Sequence, residues 1–106
     1  MSDNTAGNAA TKYGILREVV KDYPGLISSV EPLLDELNSS SPKWDSVVKE
    51  LRTYALKNFY LHDHHEKGPE VIKAVIDIFL EAIGGPDDTV RQAATENLIV
   101  YLEKIL

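Results

Sequence analysis

The chain lacks several residue types, and each absence limits what it can do. It has no cysteine in 106 residues, which excludes a disulfide framework, a thiolate nucleophile and a cysteine-ligated zinc site. Basic residues are few, since eleven Lys and Arg stand against seventeen Asp and Glu and give a formal net charge of −6. We therefore expect no binding to nucleic acid and none to an anionic membrane surface.

Long apolar runs are missing as well. No stretch approaches the roughly 18 consecutive apolar residues of a membrane-spanning helix, and the N-terminus lacks the basic-then-apolar pattern of a secretion signal. The sequence is typical of a soluble, cytoplasmic protein. Residues 1–10, MSDNTAGNAA, have little to bury and are predicted to form a disordered tail before one helical domain over residues 11–106.

Helical periodicity is the main positive signal. Apolar side chains recur at spacings of three and four, and proline, glycine and serine interrupt the pattern at intervals. The pattern predicts an all-α fold of about five antiparallel helices over residues 11–23, 25–38, 42–66, 69–83 and 88–106. Consecutive helices should be neighbours, because the loops between them are short.

The fourth of these helices has the narrowest polar face. At about 100° per residue, its polar side chains fall in a stripe roughly 80° wide: Glu70, Lys73, Asp77 and Glu81. A helix that is apolar on most sides needs cover on both flanks. We therefore predict that it is the central helix, with Ile72, Ile76 and Leu80 away from water.

Two parts of the sequence are similar to each other. Residues 31–37 match residues 77–83 in apolar pattern, and residues 42–56 match residues 86–99, at an offset of about 43–46 residues. That period is typical of two-helix solenoid repeats. GPDDTVRQAATENL (residues 85–98) resembles the turn and second helix of a HEAT repeat, and VEPLLDEL (residues 30–37), with Pro32, resembles the first helix.

The resemblance implies HEAT-like hairpins stacked in layers and acting as a protein-interaction module, with a simple antiparallel helical bundle as the alternative. In such repeats one helix layer forms the binding surface, here residues 42–66 and 88–106. A candidate binding patch lies on the exposed side of the long helix and consists of Lys49, Arg52, Leu56, Tyr60 and Asp63. Leu56 and Tyr60 are apolar residues that lie outside the buried stripe of this helix.

The last helix also carries an apolar flank that its hairpin partner alone does not cover. It consists of Ile99, Leu102 and Leu106. We expect this flank to pack under the long helix, to continue into a longer chain, or to support self-association through the last helix. The expected partner is thus another protein or the rest of a longer chain, and no cofactor is implied.

All three histidines lie in HDHHEK, residues 62–67. His62, with His65 or Glu66, could share one helical face as metal ligands, but a third ligand and a recognised metal-binding frame are missing. Alternatively, the H-x-x-K-G spacing from His64 resembles the core of histidine phosphotransfer domains, which would make His64 a phosphoacceptor. The third interpretation is helix capping, in which histidines of the last turn face the negative end of the helix dipole.

Residues 51–70, LRTYALKNFYLHDHHEKGPE, also resemble a helical N-terminal segment of phosphoenolpyruvate synthase-like phosphotransferases. None of that family's catalytic motifs is present, so the resemblance implies an accessory domain. The serines occur in helix-capping contexts and suggest no nucleophile. We therefore predict a non-catalytic protein.

Overall fold

The computed structural model describes residues 13–63 and 65–106, with residues 58–63 described by their backbone alone. The described chain is all-α, with five α-helices and one 3₁₀ turn, which confirms the predicted fold class. The helices are α1 (Gly14–Val20), α2 (Ile27–Leu37), α3 (Trp44–Asp63), α4 (Gly68–Ile83) and α5 (Asp88–Ile105), and the 3₁₀ turn is Pro24–Leu26. The predicted tail, residues 1–10, lies outside the described residues.

Two helices end earlier than the sequence predicts. α1 stops at Val20 and does not reach Tyr23, because Tyr23 precedes a proline and takes an extended φ of −132°. α3 is described as far as Asp63, and His65 and Glu66, which the sequence places in this helix, are not helical. Pro32 lies inside α2 on its exposed side, where the missing N–H does not disturb the buried stripe.

The core is built around α3 and α4. α3 packs against α2, α4 and α5, and α4 packs against α1, α3 and α5. The centre contains side chains with no exposed surface or almost none, including Leu51, Ile78 and Phe79. The ring of Phe79 lies 6.2 Å from that of Tyr101, which joins α4 to α5.

The prediction that α4 is covered on both flanks is wrong at Leu80. This side chain is 51% exposed, and Ile72 and Ile76 are half-buried. The three neighbours of α4 cover the side that carries Ala74, Ile78 and Phe79, so the flank of Ile76 and Leu80 faces outward. Among the described residues, no helix has both the length and the apolarity to cross a bilayer.

Candidate functional site

The histidine cluster is described only in part. His64 and the side chains of His62 and Asp63 lie outside the described residues, so the phosphoacceptor and the metal ligand His62 stay predictions. His65 is described, and it lies in the turn between α3 and α4. Among the described residues there is no group of three or more His, Asp or Glu side chains that could hold a metal ion.

His65 connects this turn to the end of α1. Its Nε2 lies 2.7 Å from Oδ2 of Asp22, and its Nδ1 accepts the backbone N–H of Lys67 at 3.0 Å. Because Nδ1 is an acceptor, the ring proton belongs on Nε2, which donates to the carboxylate. The edge of the ring meets Tyr23 at a centroid distance of 6.0 Å. Both ring nitrogens are therefore engaged within the protein.

An ion pair lies beside this histidine. Lys67 contacts Glu18 on α1; this hydrogen bond lowers the pKa of Glu18 and raises the pKa of Lys67. We call Glu18, Asp22, His65 and Lys67 the α1 clasp. Helix capping by the histidines stays a prediction for His62 and His64, whereas His65 lies beyond α3 and its imidazole contacts Asp22 and the Lys67 N–H.

The predicted patch on α3 is also only partly described. Lys49 and Arg52 are exposed, whereas Leu56 is half-buried and packs against the hydrophobic core. The side chains of Tyr60 and Asp63, and that of the metal candidate His62, lie outside the described residues, and Glu66 is exposed. The described part of this patch is therefore mainly polar.

A larger apolar surface lies on α4 and α5. On α5, the buried stripe is formed by Val90, Ala94, Leu98 and Tyr101. Ile99 and Leu106 fall on another flank and are 52% and 100% exposed, with half-buried Leu102 between them. The sequence predicted that this flank lacks cover from its hairpin partner, and the structure leaves it open to solvent.

Because α4 and α5 pack against each other, helix geometry can be used to place their open flanks relative to one another. α1 packs on the side of α4 marked by Glu81, where Tyr13 Oη donates to Glu81 at 3.0 Å. α5 packs on the other side, through Phe79 and Tyr101. At about 100° per residue, Ile72, Ile76 and Leu80 follow Phe79 on the flank away from α1.

The same reasoning places the open flank of α5. α3 lies on the Thr89 side of α5, where a pocket of ≈ 530 Å³ separates it from Trp44. At about 100° per residue, Leu102 lies roughly 140° around α5 from Thr89, Leu106 about 100° and Ile99 about 80°, so the flank turns away from α3 at Leu102 and faces solvent at Ile99. We call the combined surface the α4–α5 face, which consists of Ile72, Ile76, Leu80, Ile99, Leu102 and Leu106.

Sequence reasoning missed part of both regions. Nothing in the sequence marks Glu18 or Asp22 as a partner of the histidine cluster, because both lie on another segment of the fold. Leu80 was assigned to the core, although its place at the edge of the polar stripe, next to Lys73 and Asp77, is a signal of partial exposure.

Comparison with known proteins gives no relative: no protein-family model, no curated protein and no solved structure matches the chain. The resemblances to HEAT repeats and to phosphotransferase segments therefore stay predictions.

Proposed function

We propose that this chain is a non-catalytic protein-interaction module that binds its partner through the α4–α5 face. The observation that supports the proposal is an exposed apolar flank on each of two helices that pack together, in which Leu80 and Ile99 are each about half exposed. Large contiguous apolar patches are uncommon on the surface of soluble monomers, and where they occur they often mark binding surfaces.

The energetics favour this surface over the α3 patch. Burying a half-exposed Leu or Ile side chain stabilises a complex by about 1 kcal/mol, and the α4–α5 face offers several such side chains. On α3, Lys49 and Arg52 are exposed cations, and Leu56 already has part of its surface covered by the core. Surface ion pairs contribute little, with a typical value of about 0–1 kcal/mol.

The partner stays within the expected classes of another protein, the rest of a longer chain or a second copy. The described cluster around His65 suggests no reaction, because its imidazole nitrogens contact Asp22 and the Lys67 backbone. An interaction role therefore agrees best with the side chains that the structure describes.

Site-specific photo-crosslinking tests the proposal. A photoreactive amino acid replaces Leu80, Ile99, Lys49 or Thr53 in turn, in the cells that make the protein. We expect the same partner to be captured from positions 80 and 99 and not from Thr53, which is exposed on α3. Excess unlabelled wild-type protein should compete for it, whereas a Leu80→Glu/Ile99→Glu double variant that keeps its helical signal should not.

Two results would contradict the proposal. Capture of one competed partner from Lys49, with none from positions 80 and 99, would assign binding to the α3 patch. Equal capture from all four positions would show that the α4–α5 face is not a specific docking surface. The same conclusion would follow if excess wild-type protein reduced none of the crosslinks.

A further inference from the structure

Acidic side chains line the α5 edge of the α4–α5 face. Glu96 and Glu103 are exposed and lie seven residues apart, so they project from the same side of α5. At about 100° per residue, both fall within roughly 60° of Ile99. The amide Nε2 of Gln92 lies 3.4 Å from Oε2 of Glu96 and leaves the negative charge of that carboxylate uncompensated.

The α4 edge provides no net positive charge to balance them. Lys73 lies next to Leu80 on the helix surface, and its Nζ is 2.7 Å from Oδ2 of Asp77. The exposed carboxylate of Glu70 lies one turn before Lys73. The whole chain has a formal net charge of −6, which favours association with a cationic partner.

The spacing of the apolar side chains on the α4–α5 face matches that of a helical partner. Ile72, Ile76 and Leu80 recur every four residues, and Ile99, Leu102 and Leu106 are spaced by three and four, the spacing of a coiled-coil seam. Each stripe is about 10–12 Å long, and the two run along adjacent antiparallel helices. Apolar stripes of this length match the apolar side of an amphipathic helix whose side chains recur at i, i+3 or i+4, and i+7.

We infer that the partner of the α4–α5 face is a basic amphipathic helix, whose apolar side packs on the two stripes and whose lysine or arginine side chains meet Glu96 and Glu103. The inference rests on the proposed function and adds the chemistry of the partner. A second copy of the chain is less suitable, because it would bring the same acidic edge and another net charge of −6.

Titration with a designed peptide tests this inference. The probe is a fluorescently labelled helical peptide of about 16 residues with a leucine stripe at spacings of three and four and lysines on both sides of it. A second peptide keeps the leucine stripe and replaces each lysine with glutamate. We expect the lysine peptide to bind with one-to-one stoichiometry and at least about tenfold more tightly than the glutamate peptide. Its affinity should fall as the salt concentration is raised.

Matched variants of the protein locate the charge effect. Glu96→Lys/Glu103→Lys should weaken binding of the lysine peptide at least about tenfold. Glu31→Lys/Glu50→Lys changes the net charge equally at exposed positions on α2 and α3, and should weaken it less than about threefold. Leu80→Glu/Ile99→Glu should abolish the one-to-one binding.

Each contrary result is separable from failure of the proposed function. Equal affinity for both peptides, or equal weakening by the two charge-reversal pairs, overturns the basic-helix inference, while crosslinks from positions 80 and 99 would still support the face itself. Failure of both peptides to bind also overturns it. If analytical ultracentrifugation shows a dimer that Ile99→Glu dissociates, a second copy occupies the face.

Discussion

The imidazole of His65 joins segments that lie 43 residues apart in the sequence. It reaches Asp22 through Nε2 and holds the turn before α4 through the Lys67 N–H. A net contribution of about 0.5–1.5 kcal/mol is typical of one such hydrogen bond. The exposed position of Asp22 places its bond at the lower end of that range.

Replacing His65 separates these two contacts. His65→Ala should lower the free energy of unfolding by about 1–2 kcal/mol, because both hydrogen bonds are lost. His65→Asn should recover part of the loss, because an asparagine oxygen can accept an N–H two residues further on but does not reach Asp22. Urea unfolding followed by circular dichroism measures both. If the two variants are equally destabilised, the turn bond to Lys67 contributes nothing.

Tyr101 provides a pH-dependent test of the core. Burial raises its pKa from an ordinary 10.0 to about 12. Below pH 10 the phenol is protonated in both states; above it, the unfolded chain loses the proton more readily than the folded chain, so stability falls with rising pH.

The difference in free energy of unfolding between wild type and the Tyr101→Phe variant should therefore depend on pH. The free-energy difference between the two proteins should be constant from about pH 7 to 9 and should shift in favour of the variant between about pH 10 and 12. Urea unfolding at several pH values measures it, and the comparison cancels the titration of shared groups other than Tyr54, whose pKa is raised in part by Tyr101. A difference that does not change with pH would mean that the Tyr101 phenol is solvated in the folded protein.

The limits of sequence reasoning are visible at single residues. The cluster HDHHEK was recognisable as the only histidine-rich segment, but its partners Glu18 and Asp22 were not. These contacts depend on where α1 ends relative to α4, and that position is set by packing. A short sequence pattern contains no information about it.

At the scale of the helices, local chemistry explains the start of α5. Gly84, Gly85 and Pro86 interrupt α4, and Asp87 takes an extended conformation. Oδ1 of Asp87 accepts the N–H of Thr89 at 2.8 Å and that of Val90 at 3.2 Å. Such caps are encoded within a few residues, which is why the sequence predicted a helix from residue 88.

Removal of this cap should destabilise the protein. Asp87→Ala should lower the free energy of unfolding by about 1 kcal/mol, and Asp87→Ser should restore most of it, because serine is also a good N-cap. Asp88→Ala is the matched control, since Asp88 lies exposed in the first turn of α5 and forms an ion pair with Arg91. The comparison uses thermal and urea unfolding. Equal losses for the Asp87→Ala and Asp88→Ala variants would mean that the effect is electrostatic and not due to the cap.

Periodicity predicted the buried side of each helix better than it predicted the number of neighbours. The sequence indicated that α4 is apolar on most sides, and Ile78, on its buried side, has no exposed surface. The same spacing also assigned Leu80 to the core. The five described helices leave part of the apolar circumference of α4 open, and this is a property of their packing.

At the scale of the whole molecule, the uncovered surface joins α4 to α5. The sequence identified the flank of Ile99, Leu102 and Leu106 as short of cover, but it could not show that Leu80 and Ile76 would lie beside it. We infer that adjacency from the packing of α4 against α5, with α1 and α3 as the other neighbours of α4. A surface that neither helix provides alone is therefore formed by the fold.

A last prediction separates folding from binding on this surface. Leu80→Ala/Ile99→Ala should lower the free energy of unfolding by less than about 1.5 kcal/mol, because about half of each side chain is already exposed and alanine favours a helix. Ile78→Ala, one position deeper in α4, should cost about 2–5 kcal/mol. Urea unfolding gives both values. If the double variant is as unstable as Ile78→Ala, the exposed side chains belong to the core and the docking proposal loses its basis. A small loss of free energy of unfolding means that the protein retains apolar surface that its own fold does not require.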